Sequence, residues 1–357
     1  MKIIHCADFH LDAPLAQLPP DKAALRRNEL LQTFGRVVSY AAQHAVDAVL
    51  IAGDWFDAPI AARKTVDYVR SMIGACPAEF YGLRGNHDAG FLFPNPPENL
   101  HFFSDSWRSY ALGDVTISGV EPTDDRWTDA VRLDPAACNL VMLHGGISGG
   151  DALPIDALRN RSIDYLALGH WHTYRTDALD ARGMWTYAGC PEPRGFDECG
   201  EKGFVLLDIA SGVVRQTFVP FAQRTYHAVR AELNGQPDPA QQEAAVRAAL
   251  DGIPHDDGVQ LTLTGSCAPE SMLEDAFWTA ALQDRFFQFR LENRVRPALD
   301  TARLRTEVSL RGAFYRQVMQ SGLPDSECCA LLKLGFAALD GTREDLGADD
   351  ADTGSIY

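Results

Sequence analysis

Asp47-Ala48-Val49-Leu50-Ile51-Ala52-Gly53-Asp54 sets the reading of the fold: a continuous apolar run closed by a glycine and a carboxylate. Such a run, bounded by a turn residue, is the pattern of a strand buried on both faces. Upstream, Lys2–Ala7 is a second short apolar run, and between the two Leu30, Leu31, Phe34, Val37, Val38, Ala41 and Ala45 recur at helical spacing. The opening is therefore β-α-β. A helix around Arg63–Ile73 follows. Strands are then expected at Glu79–Leu83, Leu100–Phe103, Val115–Val120, Asn139–Leu143, Ile163–Leu168, Met184–Ala188, Phe204–Ile209 and Val213–Val219, the last two joined by a turn at Ser211-Gly212. So many strands with helices early and late predict two sheets packed face to face and covered by helices, not one doubly wound sheet.

The 357 residues exceed one ordinary core and fit a large domain with a smaller one. From about Thr225 the pattern changes to a strand at Ala228–Leu233, a helix opened by Asp238-Pro239 and running to Leu250, and a strand at Val259–Thr264. A helix near Ser271–Leu282 comes next. In Phe287–Val295, Phe287, Phe289, Leu291 and Val295 alternate with Gln288, Arg290, Glu292 and Arg294, which predicts a half-buried strand with an arginine-bearing face. Helices at Leu310–Gln320 and Ser326–Leu339 close the fold, and Glu344–Asp352 reads as a solvated acidic tail. The expected boundaries are 1–222 for the large domain, 223–300 for a small α+β domain, 301–343 for a helical segment and 344–357 for the tail.

Apolar residues make up 46% of the chain, which excludes a disordered or collagen-like protein. Eight cysteines are scattered without a Cys-x-x-Cys pair, against a zinc ribbon or a disulfide framework, and read as buried small hydrophobes. Neither a leader-like segment nor an apolar run long enough to span a bilayer is found, so a cytoplasmic protein with no membrane partner is expected. The net charge of −17 repels polyanions at long range, and any nucleic-acid contact must come from a local patch or a metal.

Polar residues gather at the carboxyl ends of the predicted strands. Asp8-Phe9-His10 ends the first, and Gly53-Asp54 follows the buried run. Gly85-Asn86-His87-Asp88 follows Phe80–Leu83, His144-Gly145 follows Leu140–Leu143, and His170-Trp171-His172 follows Tyr165–Leu168. In an extended segment residues i and i+2 point to one face, so Asp8 and His10 converge, as do His170 and His172. Strand ends are where α/β folds build sites from separate loops. One histidine near a strand end is more often a hydrogen-bonded core or surface residue, and His5, His44, His101, His227 and His255 are read that way. Independent core histidines have no reason to follow glycine or aspartate at several strand ends, which leaves a metal site. The donors are imidazoles, carboxylates and an amide oxygen without thiolate, a set suited to Mn²⁺, Fe²⁺, Co²⁺ or Zn²⁺. Asp8, His10, Asp54, Asn86, His144, His170 and His172 are too many for one ion. Two ions sharing them would clamp the attacking and leaving oxygens of a phosphate ester.

Asp8-x-His10, Gly53-Asp54-x-x-Asp57, Gly85-Asn86-His87-Asp88, His144-Gly145 and Gly169-His170-x-His172, in that order, resemble the five motifs of the calcineurin-like metallophosphoesterases. The resemblance implies a four-layer α/β/β/α sandwich with a smaller C-terminal α+β capping domain and terminal helices. It implies that Asp8, His10 and His172 hold one metal and Asn86, His144 and His170 the other, with Asp54 bridging. His87 would face the substrate as the catalytic group, and Asp57 and Asp88 would orient ligands. His5-Cys6-Ala7-Asp8-Phe9-His10-Leu11-Asp12 with Pro14-Leu15, and Tyr187-Ala188-Gly189-Cys190-Pro191-Glu192-Pro193 with Phe196, Glu198, Gly200 and Gly203, resemble the SbcD-type and YhaO-type DNA repair exonucleases. That implies DNA as substrate, manganese as the favoured metal, an SMC-like coiled-coil ATPase as partner at the terminal helices, and a second copy of the chain as a further candidate partner. Arg290, Arg294 and Arg296 are the candidate DNA contacts, with a solvated face paired to local carboxylates as the competing reading. A nucleotide or small-molecule phosphodiesterase or phosphatase, and a metal-free scaffold, are the rival functions.

Overall fold

In a computed structural model that describes residues 1–122, 125–148, 152–234, 238–267, 272–297 and 301–339, the apolar runs become strands of two large sheets. The chain divides into two compact units, the first made of Met1–Ala228, Pro254–Gln260 and Phe286–Gln288. Its elements in order are β1 (Lys2–Cys6), α1 (Pro20–Gln43), β2 (Ala48–Ala52), α2 (Arg63–Ala75), β3 (Glu79–Leu83), β4 (Leu100–Phe102), β5 (Arg108–Leu112), β6 (Val115–Gly119), β7 (Cys138–His144), α3 (Ile155–Leu158), β8 (Tyr165–Gly169), β9 (Arg175–Ala178), β10 (Met184–Tyr187), β11 (Gly203–Ala210) and β12 (Val213–Pro220).

One sheet has the order β12-β11-β1-β2-β3-β4, with β1 to β4 parallel and β11 and β12 antiparallel. The other runs β5-β6-β7-β8-β10-β9, with a parallel centre and antiparallel edges at β5 and β9. Strand parity sorts the core into layers. Ile4, Val49, Ile51 and Phe80 face outward onto Leu30, Phe34 and Val37 of α1 and Val66, Val69 and Ile73 of α2. The alternate residues Ile3, Ala48, Leu50 and Tyr81 face inward onto Leu140, Met142, Tyr165 and Ala167 of the second sheet. The far side of that sheet, Val141, Leu143, Leu166 and Leu168, is covered by Trp127 and by Leu158 of α3. The architecture is the α/β/β/α sandwich that the motifs imply.

α1 starts ten residues before the first apolar position of its periodic stretch, with Pro20 in its first turn and Asp21 beside the positive end of the helix dipole. It also ends before Ala45, whose φ of 48° is left-handed. Strands β5 and β9 lack an apolar signature because they are exposed edges.

The second unit comprises Val229–Ile253, Leu261–Arg285 and Phe289–Tyr357. The elements after β12 are β13 (Tyr226–Glu232), α4 (Pro239–Ala249), β14 (Gly258–Thr264), β15 (Ser266–Cys267), α5 (Asp275–Leu282), β16 (Gln288–Asn293), β17 (Arg296–Pro297), α6 (Thr301–Thr306), α7 (Leu310–Met319) and α8 (Asp325–Leu339). β13, β14 and β16 form a three-stranded sheet, and β15 pairs with β17. Asp238 caps α4 by accepting from the Gln241 amide at 2.9 Å, as the Asp238-Pro239 signal predicts. Leu304, Tyr315, Val318, Cys328, Leu332 and Phe336 of α6, α7 and α8 form one cluster. Among the described residues no helix is long and apolar enough to cross a membrane, and the acidic run Glu344–Asp352 lies outside them.

Candidate metal centre

Past Cys6 the chain stays in step with the turn after β2. The Asp8 amide donates to the Gly53 carbonyl at 3.0 Å, His10 to Asp54 at 3.0 Å and Leu11 to Trp55 at 2.9 Å. Asp8 (φ 55°), His10 (45°), Asp54 (51°) and His170 (111°) all adopt left-handed backbone. Non-glycine residues held there cost about 1–3 kcal/mol each, and such strain clusters at functional sites. The extended geometry expected for Asp8–His10 and His170–His172 is therefore replaced by left-handed turns, which aim the side chains into one centre.

The candidate ligand atoms meet tip to tip. His10 Nδ1 donates to Asp57 Oδ1 at 3.0 Å and His172 Nδ1 to Glu198 Oε1 at 2.6 Å. The two Nε2 atoms face each other at 3.1 Å, and with both rings neutral and their protons on Nδ1 both would present lone pairs. Two acceptors that close repel, and a cation between them removes the repulsion. The same holds nearby, where His144 Nδ1 donates to the Ala52 carbonyl at 2.8 Å and leaves Nε2 facing Asn86 Oδ1 at 3.0 Å. His170 Nδ1 lies 3.2 Å from that oxygen. Asp54 Oδ2 stands between the groups, 3.6 Å from His10 Nε2 and 3.5 Å from His144 Nε2. Asp8, His10, Asp54 and His172 offer ligand atoms all within 4.8 Å of one another, a set able to hold a metal ion. His10, Asp57 and His87 also cluster, but Asp57 Oδ1 already accepts from His10 and, at 2.9 Å, from Arg194, and a guanidinium there opposes a cation.

Burial pulls His10 and His170 below their ordinary pKa and His144 down to about 4, so these rings are neutral and ready to ligate. For His172 burial is outweighed by the Glu198 hydrogen bond and the charges of Asp8 and Glu198, and its pKa is raised. Burial pushes Asp8 up to about 7, a cost that a neighbouring cation would relieve.

Close packing fixes the arrangement. A Cβ on Gly53 would lie 2.2 Å from His144 Nδ1, and one on Gly85 2.1 Å from Asp54 Oδ1. Asp88 touches no candidate ligand side chain. It accepts from the amides of Gly85 at 2.7 Å and Trp55 at 2.9 Å and so ties together the loops that carry Asp54 and Asn86. The His87 amide donates to Asp54 Oδ1 at 2.9 Å, and its ring, at 39% exposure, stands edge-on to His10 with centroids 4.6 Å apart. A cleft of about 880 Å³ opens beside Asn86, His144 and His170, with Arg84, Asp105 and Glu121 in its wall.

Residues 1–174 match the family model for calcineurin-like phosphoesterases. Those residues are similar to the calcineurin-like phosphoesterases. The chain is similar to the uncharacterised metallophosphoesterase YhaO of Bacillus subtilis, 26% identical over 244 residues that cover 61% of this chain and 60% of YhaO. It is 26% identical to the DNA double-strand break repair protein Mre11 of Sulfurisphaera tokodaii, covering 59% of this chain and 60% of Mre11. To SbcD, a component of the nuclease SbcCD of Escherichia coli, it is 23% identical, covering 58% of this chain and 64% of SbcD. The chain thus spans about three fifths of the length of these relatives.

The structure brings Asp8, His10, Asp54, Asn86, His144, His170 and His172 close together, while the histidines read as ordinary polar residues sit in ordinary pairs: His5 with the Tyr165 hydroxyl, His101 with Glu79, His227 with Asp257. Arg194 and Glu198 are centre residues to which the sequence assigns no role. Glu198 stands in a segment that carries the family resemblance, but nothing local distinguishes Arg194 from a solvated arginine. Arg290, Arg294 and Arg296 are all exposed, Arg290 in β16, Arg294 just past its end and Arg296 in β17. Past the end of β16 the chain stays along the edge of β14, the Arg294 amide donating to the Leu263 carbonyl at 2.8 Å and the Arg296 amide to Gly265 at 2.9 Å. Arg294 pairs with Glu292, the local carboxylate of the competing reading.

Proposed function

We propose that this protein is a two-metal phosphodiester hydrolase, a DNA exonuclease that works in cytoplasmic DNA repair beside an SMC-like coiled-coil ATPase. The observation that carries the hydrolase is the close approach of His10 Nε2 to His172 Nε2 and of His144 Nε2 to Asn86 Oδ1 on either side of the Asp54 carboxylate. Asp8, His10 and His172 would hold one ion and Asn86, His144 and His170 the other, with Asp54 shared. Two divalent ions, manganese foremost, would supply Lewis acidity toward the phosphoryl group and its attacking water. His87 holds its Nδ1 toward the Asp57 carbonyl at 3.3 Å, which leaves Nε2 for the substrate. In the imidazolium form it would donate that proton to the leaving oxygen. Asp57 and Glu198 keep the Nδ1 protons of His10 and His172 in place, so that Nε2 is always the ligating atom.

DNA as substrate is supported by the similarity to Mre11 and SbcD. The ATPase partner is supported by apolar side chains that α7 and α8 leave exposed after packing on one another, Met319, Leu331, Leu334 and Leu339. One feature favours a second reading. The cleft beside Asn86 has carboxylates in its wall and the Arg84 guanidinium locked to Glu121 at 2.7 Å, which suits a nucleotide or small diester better than a polyanion. Digestion of end-labelled duplex, single-stranded and hairpin DNA with Mn²⁺, beside small diesters, separates the two. Terminal nucleotides released from DNA faster than small diesters are cleaved would support the nuclease, and turnover of the small diesters alone would remove it.

A further inference from the structure

Asp57 and Glu198 orient the two histidines, and both carboxylates end on the same guanidinium. Arg194 Nη1 donates to Asp57 Oδ1 at 2.9 Å, while its Nε and Nη2 donate to Glu198 Oε1 at 3.0 and 2.9 Å. The Arg194 amide donates to the other Glu198 oxygen at 2.6 Å. His10, Asp57, Arg194, Glu198 and His172 therefore form a chain of hydrogen bonds that closes on itself where the two Nε2 atoms meet.

Arg194 is itself gripped by α1. Arg26, fully buried, donates through Nη2 to the Pro193 carbonyl at 2.5 Å and to Glu192 at 2.9 Å, and the Gln17 side-chain amide donates to the Arg194 carbonyl at 3.1 Å. The second Glu192 oxygen accepts from Thr33 of α1 at 2.9 Å and from the Gln223 amide at 2.7 Å. Such a brace is more than an exposed ion pair needs.

We infer that Arg194 is a positioning residue: it ties Asp57 and Glu198 to one rigid plane and so fixes the aim and the spacing of His10 Nε2 and His172 Nε2 for a single metal position. This rests on the reading that these two histidines share a metal. Without the guanidinium, two carboxylates beside a divalent ion are free to turn and ligate it directly, which disengages the histidines. A planar fork reaches both carboxylates at once, and a lysine ammonium is a point charge that reaches one.

The test is Mn²⁺ titration of the full chain, Arg194→Gln and Arg194→Lys by calorimetry, with electron paramagnetic resonance of bound Mn²⁺ and turnover of a generic diester. One of the two Mn²⁺ positions should weaken by about 10–100-fold in both variants, the usual cost of losing a ligand's outer partner, and the other should be unaffected. The resonance signature of a coupled pair should fade, and kcat should fall without a matching change in KM. Arg194→Lys keeps the charge and serves if Arg194→Gln does not fold. A lower melting temperature in EDTA with both affinities kept would make Arg194 a plain structural ion pair and overturn the inference. So would restoration by lysine. If the unaltered chain bound no Mn²⁺, the metal reading itself would fall and this one with it, whereas two ions held with equal affinity by all three proteins would sink only the role of Arg194.

Discussion

Gly85→Ala isolates how closely the loops pack around Asp54. Gly85 does not have left-handed backbone, so alanine is allowed locally and only space opposes it. Its Cβ would lie 2.1 Å from Asp54 Oδ1, 2.6 Å from Cγ and 2.7 Å from the Asp54 amide nitrogen. A relaxed contact is about 3.5 Å, so the carboxylate must retreat by more than about 1 Å, and because a backbone atom is also overlapped, rotating the side chain does not clear the clash. Overpacking of this kind costs about 1–3 kcal/mol. The opposing gain from a less flexible unfolded chain is smaller, about 0.4–1 kcal/mol. The displaced Asp54 oxygens accept the His87 amide and face both His10 and His144. A misplacement near 1 Å can cost about 10²-fold in rate. Gly74→Ala in α2 is the control. Its Cβ meets only Pro97, at 3.4 Å, and a helical glycine replaced by alanine should stabilise by about 0.5–1 kcal/mol. The assay is melting temperature in EDTA, Mn²⁺ stoichiometry and diester turnover. Gly85→Ala with wild-type stability, two bound ions and normal kcat would refute the argument.

His87→Ala should keep both metals and lower kcat by about 10²-fold or more, the scale of a positioned acid; loss of metal would make it a ligand instead. Asp54→Asn should disturb both Mn²⁺ positions together, and emptying of only one would exclude a shared carboxylate. Glu198, where the His172 and Arg194 contacts outweigh burial, has its pKa held well below the carboxylate range, and His172 is raised. Glu198 thus stabilises fully above its unfolded pKa of about 4.5, and that contribution is lost as pH falls further, whereas the raised His172 stabilises below about pH 6.5 and loses its part as pH rises. The stability difference between the metal-free protein and Glu198→Gln should be about 1–3 kcal/mol and peak between those limits, and a difference flat from pH 4 to 8 would contradict the pairing. Phe336→Asp, at a buried position of the α6–α8 cluster, should lower the melting temperature of the chain alone. Leu334→Asp on the exposed face should leave it unchanged while abolishing pull-down of a coiled-coil ATPase, and retained pull-down would count against that partner.

The candidate centre was legible as a cluster because its residues follow strand ends, and the apolar strands announce themselves. What was hidden needs contacts across the chain. Arg26, Glu29 and Thr33 of α1 are polar yet buried against Glu192, Gln223 and Arg224, and this is why the first half of α1 escaped the apolar periodicity. Arg194 looks like any surface arginine until Asp57, 137 residues away, is brought to it. Phe314 and Phe336 could as well have been exposed as paired, since helical spacing does not say whether a helix finds its neighbour or a partner. They pack edge to face at 6.0 Å.

The charges of the centre also fix an order of events. Asp8, Asp54, Asp57 and Glu198 converge against one guanidinium, that of Arg194, while burial disfavours the charged forms of His10, His144 and His170. A phosphodiester carries a negative charge of its own, and the chain as a whole, at −17, offers no long-range attraction. Without metal the centre would therefore repel a phosphodiester. On the proposed reading two divalent ions would reverse the local sign, and phosphodiester affinity would then depend on metal loading. Burial, with the nearby charges of Asp54 and Glu198, raises the pKa of Asp8, a cost of the same kind.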